Sequence, residues 1–188
     1  ACSLLRSLLP GTDPNPRTIS NQVVAGQGDT PDPGGLSGMM YAWGQFIDHD
    51  LGLTTSASPS ERFPIGVPAG DPSFDPNGTG VMTISMSRSN WDTATGTATG
   101  NPRQQINSIT AYIDGSNVYG SDATRAAALR EFVGGRLRTS AGNLMPFNTA
   151  GLANANDSHV VPDSQLFLAG DVRANENPEL VALQTLFV

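Results

Sequence analysis

The sequence predicts a mainly α-helical domain threaded with long irregular loops. Three observations carry that prediction. Residues 36–51 space their apolar side chains at helical intervals, and two later segments open on clear helix-start signals. The 188 residues also include 21 glycines and 14 prolines, too many for a tight bundle.

Taken in order, residues 10–35 are dense in Pro, Gly, Asp, Asn and Thr and are expected to form an extended, irregular arm. A helix then follows, with Leu36, Met39, Met40, Trp43, Phe46, Ile47 and Leu51 on one face. Residues 52–102 are a long turn-laden excursion, with one short strand expected at Val81–Met86; a loop that long is expected to wrap over a larger body. Ile106–Val118 mixes β-branched and polar residues without a clear period. Ser121-Asp122 supplies an N-cap for a helix through Val133, with Gly134-Gly135 as its stop. Residues 139–163 form another loop, and Leu166–Ala169 a short buried run. A last helix starts at Asn177-Pro178-Glu179, where a cap, a first-turn proline and an acid coincide.

Composition excludes several function classes. All ten basic residues are Arg, which removes P-loop, Schiff-base and kinase chemistry that depends on Lys. One Cys allows no internal disulfide and no self-contained thiolate metal site. A net charge of −7 without a basic cluster argues against nucleic acid as a partner. No apolar run reaches the ~20 residues of a membrane-spanning helix.

Chemistry concentrates in three places. On the first helix, Gln45, Asp48 and His49 share the face opposite the apolar one, an amide, a carboxylate and an imidazole within one turn. A solvated polar face is the ordinary explanation. Asp50, however, points with the apolar side, where a carboxylate must pair, bind a cation or lie beyond the helix end. The second place is Thr110, Tyr112, Asp114 and Ser116, oxygen-bearing residues at alternate positions. In an extended loop they would direct oxygens at one point, as calcium requires; the alternative is a half-buried strand with a polar face. The third is Asp171-Val-Arg173-Ala-Asn-Glu176, which delivers an Arg and a Glu before the last helix. It reads either as an ordinary surface pair or as a fixed cation for charge that develops in a reaction. Cys2 and His159 show no partner pattern and are expected to be inert. Asn77-Gly-Thr79 and Asn156-Asp-Ser158 are glycosylation acceptors only in a eukaryotic secretory route.

Together these runs resemble the animal-type haem peroxidases. The matching segments are Trp43-Gly-Gln-Phe-Ile-Asp-His-Asp50, Gln105 through Ser121, and Phe167 through Leu180, in the family's order and with intervening stretches at 65–76 and 144–148. The resemblance implies the distal-side portion of that fold, with residues 1–188 as the N-terminal part of one catalytic domain cut at both ends. It matches His49 to the distal histidine, Gln45 to its neighbouring glutamine and Arg173 to the distal arginine. Asp48 and Glu176 match the carboxylates ester-linked to haem. Asp50, Thr110, Tyr112 (through its carbonyl), Asp114 and Ser116 match the calcium ligands.

Two departures matter. Asn177 stands where the myeloperoxidase branch has a sulfur-linked Met, and neither His49 nor His159 matches the proximal iron ligand, expected beyond Val188. The phrasing Pro-Ala-Gly-Asp-Pro and the lack of disulfide cysteines look bacterial. The implied activity is reduction of hydrogen peroxide with oxidation of a halide or small organic donor, in a secreted or extracellular protein, with these residues alone inactive. A calcium-stabilised adhesion module and a lipid dioxygenase of the same superfamily are the rivals. A Ser–His–Asp hydrolase lacks its nucleophile elbow.

Overall fold

The computed structural model describes residues 14–26, 28–98, 100–157 and 159–188. Expectations that fall on Cys2 and on Ser158 of the second glycosylation triplet lie outside those residues. The chain divides into two compact units, one holding residues up to Pro31 together with Thr54–Ile106, the other Asp32–Leu53 together with Asn107–Val188.

In the first unit the expected irregular arm contains a helix, α1 (Pro16–Val23). Asn15 caps it by accepting from the Arg17 and Thr18 N–H groups, and Pro16 occupies the first turn. The expected strand shrinks to β2 (Thr83–Ile84), antiparallel to β1 (Ile65–Gly66). Isolated pairings at Ser56–Ser89 and Arg62–Ser87 extend this contact, so much of the excursion is a long, loosely laddered hairpin. Ionic and polar contacts hold it more than apolar burial does. Arg17 binds Asp71 through Nε (2.6 Å) and Nη2 (3.1 Å), while Asn21 donates to the same carboxylate (2.8 Å). Those bonds, Arg17 first, hold the Asp71 carboxyl far below its ordinary range. Buried Asp75 ties its own loop by accepting from Gly80 N–H, Thr79 N–H and the Thr79 hydroxyl.

The second unit is built on α2 (Met39–Leu51) and α5 (Pro178–Leu186), which pack together, with α3 (Ser116–Tyr119) also against α2. Asn177 caps α5 as expected, its side chain accepting from Leu180 N–H. A fourth helix, α4 (Ala123–Leu129), is capped by Asp122 but stops four residues short of the expected Val133. There Arg130 pairs with Leu137, and Phe132 takes a positive φ of 59°, so the chain reverses before the Gly134-Gly135 stop is reached. The loop at 163–165 contains one 3-10 turn. Ala42, Phe46, Val118, Leu129, Leu137, Leu168, Leu180 and Leu183 form the main core. Phe187 stacks on Phe46 with ring centroids 5.2 Å apart.

The buried arc of α2 differs from the expected one. Its buried residues are Ala42, Phe46, His49 and Asp50, whereas Met39, Met40 and Trp43 stay 42–48 % exposed. That arc is rotated roughly a quarter turn from the apolar one at about 100° per residue. α3, α5 and the 171–176 segment meet the helix there, so the imidazole is covered rather than solvated. α2 also begins at Met39 rather than at the expected Leu36, after Gly38.

Candidate functional site

Three stretches distant in sequence meet at the C-terminal half of α2. Asn117 joins them: its N–H donates to Asp50 Oδ1 (3.0 Å), its amide to the Phe46 carbonyl (2.8 Å), and its own carbonyl accepts from Asp171 N–H (2.8 Å). Gly170 makes that approach possible. A Cβ at this position would lie 2.6 Å from the Gly120 nitrogen and run into the Ser116 carbonyl. Arg125, buried on α4, fixes the same strand of chain from behind. Its guanidinium donates to the carbonyls of Ala169 (2.6 Å) and Ala153 (2.7 Å) and to Asn154 Oδ1 (2.7 Å).

His49 is 3 % exposed. Its Nε2 lies 3.8 Å from Glu176 Oε2 and its Nδ1 lies 3.8 Å from Asp171 Oδ1. Burial lowers its pKa below the ordinary value and the Arg173 guanidinium lowers it further, against the opposing pull of Asp171, Glu176 and Asp48. The imidazole is therefore held toward its neutral, proton-accepting form. Gln45 Nε2 donates to Glu176 Oε2 (2.7 Å), and the Asn177 amide donates to Gln45 Oε1 (2.7 Å). These three residues line a cavity of about 540 Å³ with Met39, Tyr41 and Ala42. Asp48 is exposed, one turn along α2 from Gln45.

Arg173 is committed to structure as well as charge. Nε and Nη2 each reach Asp171 at 2.8 Å, and Nη2 also donates to the Gly52 carbonyl (2.9 Å) at the end of α2. A cation at a helix C-terminus offsets the dipole there and satisfies a free carbonyl. The residue expected to supply positive charge to a reaction thus also clamps the helix that carries His49.

Asp50 is 2 % exposed and has no cationic side chain within 4 Å among the described residues. It accepts from Gly115 N–H (2.9 Å), Asn117 N–H (3.0 Å) and the Ser116 hydroxyl (3.3 Å). The Ser116 hydroxyl is 3.4 Å from that of Thr110, and Asp114 accepts from Ser116 N–H at 3.0 Å. The Ser116 N–H, then the hydroxyls of Ser116 and Thr110, hold the Asp114 carboxyl below its ordinary pKa. Four of the five expected calcium ligands therefore converge around Ser116. Tyr112, expected to contribute its carbonyl, is 76 % exposed. Among the described residues no three His, Cys, Asp or Glu side chains gather as a metal cage. Two carboxylates plus neutral oxygens is the donor set of a hard cation, and a buried carboxylate without a cation suits one.

Three residues that sequence reasoning missed hold this site together: Asn117, Arg125 and Asp171. Asp171 stood two residues before Arg173 in a run already singled out, but only the distance to His49 shows its part.

The helix-borne His49 imidazole is thus buried beside Glu176, which with Gln45 and Asn177 lines the open cavity. The family model for animal haem peroxidases matches residues 5–188, and the chain belongs to that family. Dual oxidase 1 of Rattus norvegicus is 33 % identical over 183 residues, covering 93 % of this chain and 12 % of its own length. Peroxinectin A of Dictyostelium discoideum is 33 % identical over 182 residues, 92 % of this chain and 34 % of its own. The solved structure of peroxidase A from Dictyostelium discoideum matches with a TM-score of 0.82 at 31 % identity, covering 93 % of this chain and 36 % of that one. The chain thus spans about an eighth to a third of the length of these relatives. No helix among the described residues is long and apolar enough to cross a membrane.

Proposed function

We propose that these residues form the distal wall of a haem peroxidase, where hydrogen peroxide is reduced while a halide or small organic donor is oxidised. The observation that carries this reading is His49, a buried imidazole biased to its neutral form whose Nε2 faces the Gln45–Glu176 side. Haem, when bound, supplies the electron chemistry. Gln45, Asp48, His49 and Glu176 are the groups that would face it, and the exposed carboxylates of Asp48 and Glu176 are the candidates for ester links. Asn177 is engaged in capping α5 and in holding Gln45, and offers no sulfur for a third link.

His49 Nε2 would take a proton from peroxide and return it to the departing oxygen, acting as base and then acid. Arg173 contributes fixed positive charge close enough to depress the His49 pKa, which also favours negative charge developing beside it. Gln45, held at both ends of its amide, positions water or a small donor. Asp50, Thr110, the Tyr112 carbonyl, Asp114 and Ser116 would hold calcium and so anchor α2 one residue from His49. A site with only two carboxylates suits the high calcium level outside cells, in keeping with an extracellular protein. Neither histidine matches a proximal ligand: His49 belongs to the distal wall and His159 is exposed. The 188 residues are accordingly read as one part of a catalytic domain.

The test is His49→Ala in the haem-loaded protein that carries this chain. Peroxide turnover is expected to fall on the order of 10²–10⁴-fold with haem content retained. Turnover at the wild-type rate would remove His49 from the reaction.

A further inference from the structure

The buried edge of His49 is unexplained by the proton transfer itself. Nδ1 is buried and has no hydrogen-bond partner among the described residues. A neutral imidazole carries one ring proton, and the nitrogen that lacks it is the one that can act as a base. Each nitrogen of His49 has a carboxylate oxygen 3.8 Å away, Asp171 beside Nδ1 and Glu176 beside Nε2.

The two carboxylates are not equivalent. The Asp171 side chain is 2 % exposed and that of Glu176 is 40 % exposed, so water screens the second far more than the first. Asp171 is also the better fixed of the two. It accepts Arg173 N–H, Nε and Nη2, all at 2.8 Å, and its own N–H is bound to the Asn117 carbonyl. Asp48, the third acid acting on the ring, is exposed.

We propose that Asp171 is a positioning residue that keeps the His49 proton on Nδ1 and leaves the Nε2 lone pair free on the Glu176 side of the ring. This rests on the reading of His49 as the proton acceptor. Asp171 Oδ1 already accepts two N–H donors, so at 3.8 Å it faces Nδ1–H as a charge faces a dipole. A full hydrogen bond would need the ring to approach by roughly 1 Å. The opposite tautomer would set the Nδ1 lone pair against a desolvated anion and put the proton on Nε2, where it would block acceptance from peroxide. Arg173 neutralises Asp171 in part, and the same pair thereby ties the orientation of the base to the cation expected to act beside it.

The test is ¹⁵N NMR of the labelled 188-residue chain at pH 8.5, where an ordinary imidazole is neutral. Long-range ¹H–¹⁵N correlations report the tautomer of each histidine, and His159→Gln assigns the His49 signals. The Nδ1–H form of His49 is expected to predominate in wild type. Asp171→Asn is expected to move the ratio toward Nε2–H by about tenfold, Asp171→Glu to restore part of it, and Glu176→Gln to favour Nδ1–H further. A wild-type chain with the proton mainly on Nε2 overturns the proposal even if the Asp171 variants fail to fold, and so does an unchanged ratio in a folded Asp171→Asn chain. If the tautomers behave as expected while His49→Ala keeps full peroxide turnover, the positioning stands and the catalytic reading fails. The converse pair of results removes Asp171 alone.

Discussion

Replacing Asp50 with Ala probes two contributions that can be separated. Without calcium the substitution strips acceptors from two backbone N–H groups, Gly115 and Asn117, and from the Ser116 hydroxyl. Leaving buried donors unsatisfied costs about 1–3 kcal/mol each. The relief of a desolvated carboxylate offsets part of that, so a net loss of about 2–3 kcal/mol is expected. For a chain of this size each kcal/mol moves Tm by about 2–4 °C, which gives a fall of roughly 4–12 °C in EDTA. With calcium at a hundred times its Kd, wild type gains about 2.7 kcal/mol more, and the variant gains nothing. The assay is thermal unfolding followed by near-UV circular dichroism, both proteins in EDTA and in saturating calcium. Asp50→Asn serves as the control, because it keeps shape and some accepting capacity while losing charge. In the haem-loaded protein Asp50→Ala is also expected to reduce covalent haem at Asp48, which it never touches. Equal calcium-induced gains in wild type and Asp50→Ala would refute the reasoning, and Asp50 would then be only a hydrogen-bonding carboxylate.

Other outcomes follow from the same geometry. The Asp71 carboxyl titrates below its ordinary 3.8 in the folded chain, so its contribution is present above that pH and is lost as pH falls through the folded value. Asp71→Asn should therefore be less stable than wild type at pH 7, with the gap closing below pH 3.8 in acid-unfolding curves; a gap independent of pH would exclude the Arg17 pair as its source. Gln184 is fully buried on α5, and neither end of its amide has a hydrogen-bond partner among the described residues. Gln184→Met, close in volume and free of the orphaned groups, should raise the stability of the chain by about 1–2 kcal/mol in urea titrations, whereas a loss would mean the amide has a partner.

How much of this could be read in advance varies with the kind of signal. The caps at Asp122 and Asn177 are local hydrogen-bonding chemistry and located the starts of α4 and α5 directly. The end of α4 was misplaced because the Arg130–Leu137 pairing stops it, and pairing across a turn leaves little trace in helix propensity. α1 buries no residue, so apolar periodicity could not reveal it; Asn15-Pro16 was the legible mark. Asp50 was conspicuous as an acid on an apolar side, and it is indeed buried. The partner of His49 was not visible, since nothing local in Asp171 says which distant ring it will face. The direction in which α2 turns its face depends likewise on what packs against it, and apolar count alone pointed it wrongly.

The meeting at Asn117 also bears on when the site can form. Its bonds join residue 46 to residue 117 and residue 117 to residue 171, and Gly170 leaves no slack at the junction. Bringing together points so far apart costs loop-closure entropy before any contact repays it. On a ribosome, α2 would leave the exit tunnel well before the 171–177 segment exists, with His49 uncovered. The surroundings of His49 are therefore expected to be among the last features of this unit to order during synthesis. Haem that arrives early would meet loose ligands, and its stable loading would wait for the chain to be made past Glu176.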